Sequence, residues 1–150
     1  MSDSSTGGIV RRSAVALAFT AAALALPATQ ANAAATSGSC STSQGFFANV
    51  AVDYHNSGGW HFPDQYRWGL GVGGHAMGNK NNVRAEIRDS NLQVYNTWVS
   101  GDNVAKGAGS KSIPASVRVP GARQMFGRFS VVFDWVDHSD PSCAAVTQRV

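Results

Sequence analysis

The sequence predicts an all-β fold, a single antiparallel β-sandwich of about six or seven strands. Three observations predict it. Beyond an apolar N-terminal leader, apolar residues recur with a period of about two, the spacing that sends alternate side chains to opposite faces of a strand. Clusters of Gly, Pro, Asn, Asp and Ser interrupt these runs about every ten residues. No stretch after the leader carries the period of about 3.6 residues that an amphipathic helix needs.

The leader comes first along the chain. Arg11 and Arg12 close a short polar start, and Ala14 to Leu26 are 13 consecutive uncharged residues with Thr20 as the one polar interruption. Pro27 ends the run, and Ala31, Asn32 and Ala33 place small residues where signal peptidase reads them. Residues 1–33 are therefore expected to be a cleaved secretory signal peptide, with Ala34 and Ala35 as neighbouring cut sites. A membrane span takes about 20 apolar residues, more than this run supplies. The paired arginines raise the twin-arginine route. Val10 before them, and the lack of a strongly apolar residue at the second position after them, favour the general secretory route. The mature protein is thus expected to be secreted and to carry no membrane span.

Of 12 basic and 9 acidic residues the leader takes Arg11, Arg12 and Asp3, leaving 10 and 8 in a mature chain of 117 residues. So few, nearly balanced charges make no nucleic-acid or membrane footprint. A chain of this length forms one domain and buries roughly two-thirds of its unfolded surface. Its two cysteines, Cys40 and Cys143, lie near its two ends. In an oxidising compartment they read as one disulfide joining the termini. A true immunoglobulin bridge lies between interior strands, so the expected architecture is immunoglobulin-like only in the broad sense of two packed sheets.

The mature elements follow in order. Residues 34–45 are Ala, Thr, Ser and Gly apart from Cys40 and Gln44, and are expected to be a flexible N-terminus. The β-sandwich is expected over 46–143, with a tail at 144–150. Phe46, Ala48, Val50, Val52 and Tyr54 alternate with Phe47, Asn49, Ala51, Asp53 and His55, as Tyr66, Trp68, Leu70 and Val72 do with Gln65, Arg67, Gly69 and Gly71. Val83, Ala85 and Ile87 face a core while Arg84, Glu86 and Arg88 face water. Asp89, Ser90 and Asn91 turn the chain, so 83–99 reads as a hairpin. Ser112 to Val119 reads as a strand, with Pro114 marking an edge or bulge. Gln124 to Val136 is the longest candidate and is expected to be central, with Met125, Phe129, Val131, Phe133 and Trp135 on one face interrupted by Gly127.

Motifs for chemistry are sparse. Gly-x-Ser-x-Gly is absent, and no cofactor motif occurs. His55, His61, His75 and His138 have no zinc-helix spacing. Asp134, Asp137, His138 and Asp140 are the densest acidic cluster, but they lack EF-hand spacing and read as a turn before Pro141. The aromatics are more informative. Trp68, Trp98 and Trp135 fall in apolar runs and are expected in the core, whereas Trp60, His61 and Phe62 follow Ser57, Gly58 and Gly59 and are expected on a loop. The loop Gly73 to Asn82, with His75, Met77 and Asn79, suits adaptable recognition.

These features lead to a secreted, non-catalytic binding module. Its expected ligand is an extracellular cell-envelope polysaccharide or a protein, taken by Trp60, His61, Phe62, His75, Met77 and Asn79. An enzyme inhibitor or toxin-like effector is the alternative, and a small hydrolase follows behind it. Monomer or weak dimer is expected, the latter through an unpaired edge beside Pro114.

Overall fold

The computed structural model describes residues 33–150, so the expected signal peptide, Ala33 apart, lies outside the described residues. Within them the chain is all-β and without helix, with nine strands in two antiparallel sheets. The strands are β1 (Ala34–Ser41), β2 (Phe46–Ser57), β3 (Trp60–Val72), β4 (Asn82–Asp89), β5 (Val94–Val99), β6 (Gly107–Ser112), β7 (Val119–Pro120), β8 (Met125–Val132) and β9 (Ser142–Val146). One sheet runs β1-β2-β3-β6, with the short β7 also on β3, and the other runs β5-β4-β8-β9.

The alternation read in the sequence is what joins the sheets. Phe46, Ala48, Val50 and Val52 of β2 are buried, and so are Val83, Ala85 and Ile87 of β4 and Phe129 and Val131 of β8, all in one core. Tyr66 of β3 meets Phe129 of β8 edge-on at 5.8 Å, and Phe46 meets Phe133 at 5.4 Å, so rings from the two sheets interlock. Gly127 interrupts the apolar face of β8 because there is no room for more. A Cβ there would lie 2.6 Å from Val52 Cγ2 and 2.9 Å from the Phe129 ring.

The segment expected as a flexible N-terminus is instead a full strand. β1 pairs with β2 from Ala34↔Tyr54 to Ser41↔Phe47. Its side chains bury little apart from Thr36, so hydrophobic pattern could not disclose it. Backbone pairing, small size and the bridge hold it. The Cys40–Cys143 disulfide closes with Cα atoms 5.9 Å apart and ties β1, an edge of one sheet, to β9, an edge of the other. Beside it the backbones nearly touch, and a Cβ on Gly38 would lie 2.9 Å from the Val146 carbonyl carbon. The expected tail 144–150 is also built in: β9 runs to Val146, and Val150 exchanges backbone hydrogen bonds with Met125 at 2.9 and 2.8 Å.

Three further elements differ from expectation. Trp60, His61 and Phe62 are strand residues, because Gly58 and Gly59, at φ 55° and 80°, make the two-residue turn a hairpin prefers and let pairing begin at Ser57↔Trp60. The run Ser112 to Val119 is not a strand. Pairing instead uses the exposed Gly107–Ser112, and Pro114 starts a turn closed by Val117 N–H to Pro114 C=O at 2.9 Å. In the long run to Val136 the continuous strand stops at Val132, with one isolated bridge beyond it from Trp135 to Met77, and β8 is interior, between β4 and β9, as expected.

The 83–99 hairpin forms as read. Its turn is organised by buried Asp89, whose carboxylate accepts the N–H groups of Asn91 and Gln93 at 2.9 and 3.0 Å, the Tyr95 hydroxyl at 3.1 Å and Arg123 at 2.8 Å. Burial alone would raise its pKa, but these donors outweigh it and hold the carboxyl below the ordinary range. Glu86, expected to face water, is only 5% exposed because the guanidiniums of Arg84 and Arg88 fold over it.

Candidate functional site

The residues expected to form one recognition surface are divided between the two ends of β2 and β3. Trp60 pairs with Ser57 at the hairpin tip, whereas Val72, which leads into the loop of His75, Met77 and Asn79, pairs with Phe46. Eleven residue steps of β2 separate those ends, on the order of 35 Å at the rise of a strand. No single small ligand spans that.

At the tip, Trp60 is half-buried, with the Arg118 guanidinium 4.4 Å above its ring. Phe62 stacks on His55 at 5.0 Å, and His61 Nδ1 meets Asn56 Oδ1 at 2.6 Å. Each aromatic already has a partner, so the tip is a laced hairpin surface. His55 also meets Asp64 at 3.0 Å, where a register shift after Asp53 accommodates Pro63 and Asp64.

At the other end the loop is anchored rather than adaptable. Met77 is buried and bridges to Trp135, and Gly78 N–H donates to the Asp134 carbonyl at 2.9 Å. Asn81, which is fully buried, donates to the carbonyls of Gly78 and Val104 at 3.0 and 2.8 Å and accepts the Asp134 N–H at 2.9 Å. His75 and Asn79 are exposed, and His75 lies 5.1 Å from the Trp135 ring. Sequence reasoning missed Asn81 because an Asn in a polar loop carries no mark of burial. In the acidic cluster, Asp140 accepts the Trp135 N–H at 3.0 Å, as a turn requires, and Asp134 accepts that of Lys80 at 2.9 Å. Among the described residues no three His, Cys, Asp or Glu side chains gather as metal ligands.

Trp68 is buried in the core as the sequence predicts, whereas Trp98 and Trp135, expected there too, are only partly buried against it, and what the sequence did not disclose is that Trp68 and Trp98 meet. β1 and β9 close one side of the two sheets through the disulfide; on the opposite side β6 and β5 are the edges. Trp68, from β3, and Trp98, from β5, stack there with ring centroids 5.1 Å apart and planes 16° from parallel. Trp68 lies against Gly109 of β6, its ladder partner, and a Cβ at Gly109 would collide with the indole. An edge glycine covered by an aromatic ring is a recognised way to fill a sheet without losing close approach.

Around this pair runs a groove of about 410 Å³, lined also by Val99, Ser100, Asn103, Ala108 and Ser110. Neither a protein-family model, nor a curated protein, nor a solved structure matches the chain. What the groove can do therefore rests on its own chemistry. Its lining holds no charged residue, and besides the two indole N–H groups its polar side chains are two hydroxyls and an amide. Trp98 is half-buried rather than core, so part of its indole faces the groove. The groove loop is set in place by Val104, which exchanges backbone hydrogen bonds with Asn81 at 3.0 and 3.2 Å. Ser100 is fixed likewise, its hydroxyl accepting the Val83 N–H at 2.8 Å.

Proposed function

We propose that this chain is an exported, non-catalytic binding module that takes an uncharged sugar of a cell-envelope polysaccharide in the groove between β5 and β6. The observation that carries the reading is the stacked Trp68–Trp98 pair beside a neutral rim of Ser100, Asn103 and Ser110. A sugar ring has one apolar C–H face and a hydroxyl edge. A flat indole beside hydroxyl and amide groups matches both, and a ligand site of this size pairs apolar walls with a few placed polar groups. Export rests on the charged start, the apolar run and the Ala31–Ala33 pattern, and the disulfide fits an oxidising compartment. We read the two sheets as a sandwich of broadly immunoglobulin-like architecture, with its bridge moved to the edge strands.

The test is to screen the mature protein against neutral oligosaccharides and envelope polysaccharide fractions, following tryptophan fluorescence. Trp98→Ala is expected to abolish binding while the far-ultraviolet spectrum stays that of a folded β protein. A folded Trp98→Ala protein that retains every binding signal of the parent removes the groove from consideration. A mass measurement on the exported protein checks cleavage: a chain retaining Met1, or two free thiols, contradicts the export reading.

A further inference from the structure

The outer face of the β5-β4-β8-β9 sheet carries a second cavity, of about 320 Å³, lined by Arg84, Glu86, Arg88, Arg128 and Ser130. Its chemistry is opposite to that of the groove. Three guanidiniums meet a single carboxylate, and guanidinium stays protonated at any ordinary pH. Glu86 Oε1 accepts Nε and a terminal nitrogen of Arg84 at 3.0 and 2.7 Å, and Oε2 accepts Nε of Arg88 at 2.7 Å, with a terminal nitrogen of Arg88 ion-paired to it at 2.6 Å. Both oxygens are thus engaged by guanidiniums. Arg128 stands directly across the ladder from Glu86, yet forms no ion pair among the described residues, and it is exposed.

We propose that this cavity binds a tetrahedral oxyanion, a phosphate or sulfate group, between Arg128 and the unused donors of Arg84 and Arg88, with the Ser130 hydroxyl as a further donor. Three arguments support it. The cavity's formal charge of plus two matches a phosphate dianion or sulfate. Each guanidinium has five N–H donors, of which Arg84 spends two on Glu86 and Arg88 one. The buried carboxylate holds those two guanidiniums in one orientation, so little side-chain freedom remains to be lost when an anion arrives. The site lies on the outer surface of its sheet and shares no lining residue with the tryptophan groove, so it stands or falls independently of the sugar reading.

The experiment is calorimetric titration of the oxidised mature protein with inorganic phosphate and with sulfate at low ionic strength. Saturable binding is expected, weakening as sodium chloride is raised. Arg128→Gln should weaken it about tenfold, the loss of one charge-assisted contact. Lys111→Gln, an equal charge change on exposed β6 of the other sheet, should leave it within about twofold, because a distant solvent-exposed charge acts only weakly through water. Absence of saturable binding by the parent protein overturns the proposal, as does equal weakening by the two substitutions or none by Arg128→Gln. Competition between inorganic phosphate and a phosphodiester polymer then identifies the source. Displacement by the polymer at lower phosphate equivalents assigns a polymer-borne group, and the reverse order assigns the free ion.

Discussion

Removing the Cys40–Cys143 bridge by the paired substitution Cys40→Ala and Cys143→Ala should cost more stability than any other change considered for this chain. The two cysteines are 103 residues apart in sequence, so the bridge closes nearly the whole domain. For a loop of that length the chain-entropy relation gives about 4.7 kcal/mol at 25 °C, against a total of about 5–15 kcal/mol for an ordinary domain. The native side of the balance changes little. β1 keeps its ladder to β2, Gln148 N–H still donates to the Ser37 carbonyl at 3.1 Å, and the Thr36 hydroxyl to that of Gln148 at 2.5 Å. The loss should therefore arise in the unfolded chain, which gains freedom and exposes more surface. Urea unfolding followed by fluorescence should show a midpoint lower by roughly 2 M, at a slope of about 2 kcal/mol/M, and a steeper slope for the variant. Reduction of the parent protein should reproduce the shift. A loss under about 1 kcal/mol with an unchanged slope would refute the reasoning, because a bridge of this span cannot restrain the unfolded chain and leave both quantities alone.

Other expectations follow from the core and its charges. Gly127→Ala should destabilise by about 1–3 kcal/mol, since the new methyl meets Val52 and Phe129 at under 3 Å, and thermal or urea unfolding measures it. Tyr66→Phe should cost about 0.5–1.5 kcal/mol by the same measurement, because the Asn96 amide loses its acceptor at 3.0 Å; in the parent, burial pushes the Tyr66 hydroxyl pKa up to about 12, leaving it neutral at physiological pH. Glu86 is opposed by burial but held below the usual carboxylate range by Arg84 and Arg88, and Asp89 by Arg123 and the turn amides. A carboxyl more acidic in the folded state contributes stability above its unfolded pKa and loses it as pH falls through the folded value. Urea midpoints should therefore decline below about pH 4, and less steeply in Glu86→Gln or Asp89→Asn. An identical decline in both variants and the parent would contradict the assignment.

The physical reach of sequence reading is visible residue by residue. Val83, Ala85 and Ile87 against Arg84, Glu86 and Arg88 disclosed a strand, because one face is apolar and the other is not. β1 and β6 disclosed nothing. AATSGSCS and GAGSKS bury too little side chain to leave a period, and they exist through backbone ladders to β2 and β3. The site was less legible than the fold. Trp60 stood out because glycines precede it, yet the turn those glycines form brings it into a strand under Arg118. Trp68 and Trp98, 30 residues apart in sequence, sit in ordinary apolar runs, and only the approach of interior β3 of one sheet to edge β5 of the other brings their rings to 5.1 Å.

By itself, then, the sequence determined the all-β class, the interior position of β8, the 83–99 hairpin and the pairing of the only two cysteines. Each of these depends on local period, local turn chemistry or simple count. Tertiary structure alone decided which edges the bridge closes and which stay open, that Glu86 is buried under two arginines while Arg128 pairs with no acid among the described residues, and that Asn81 ties three loops together. Those depend on contacts between residues far apart along the chain, where a side chain's partner is set by the packing of sheets and not by its neighbours in sequence.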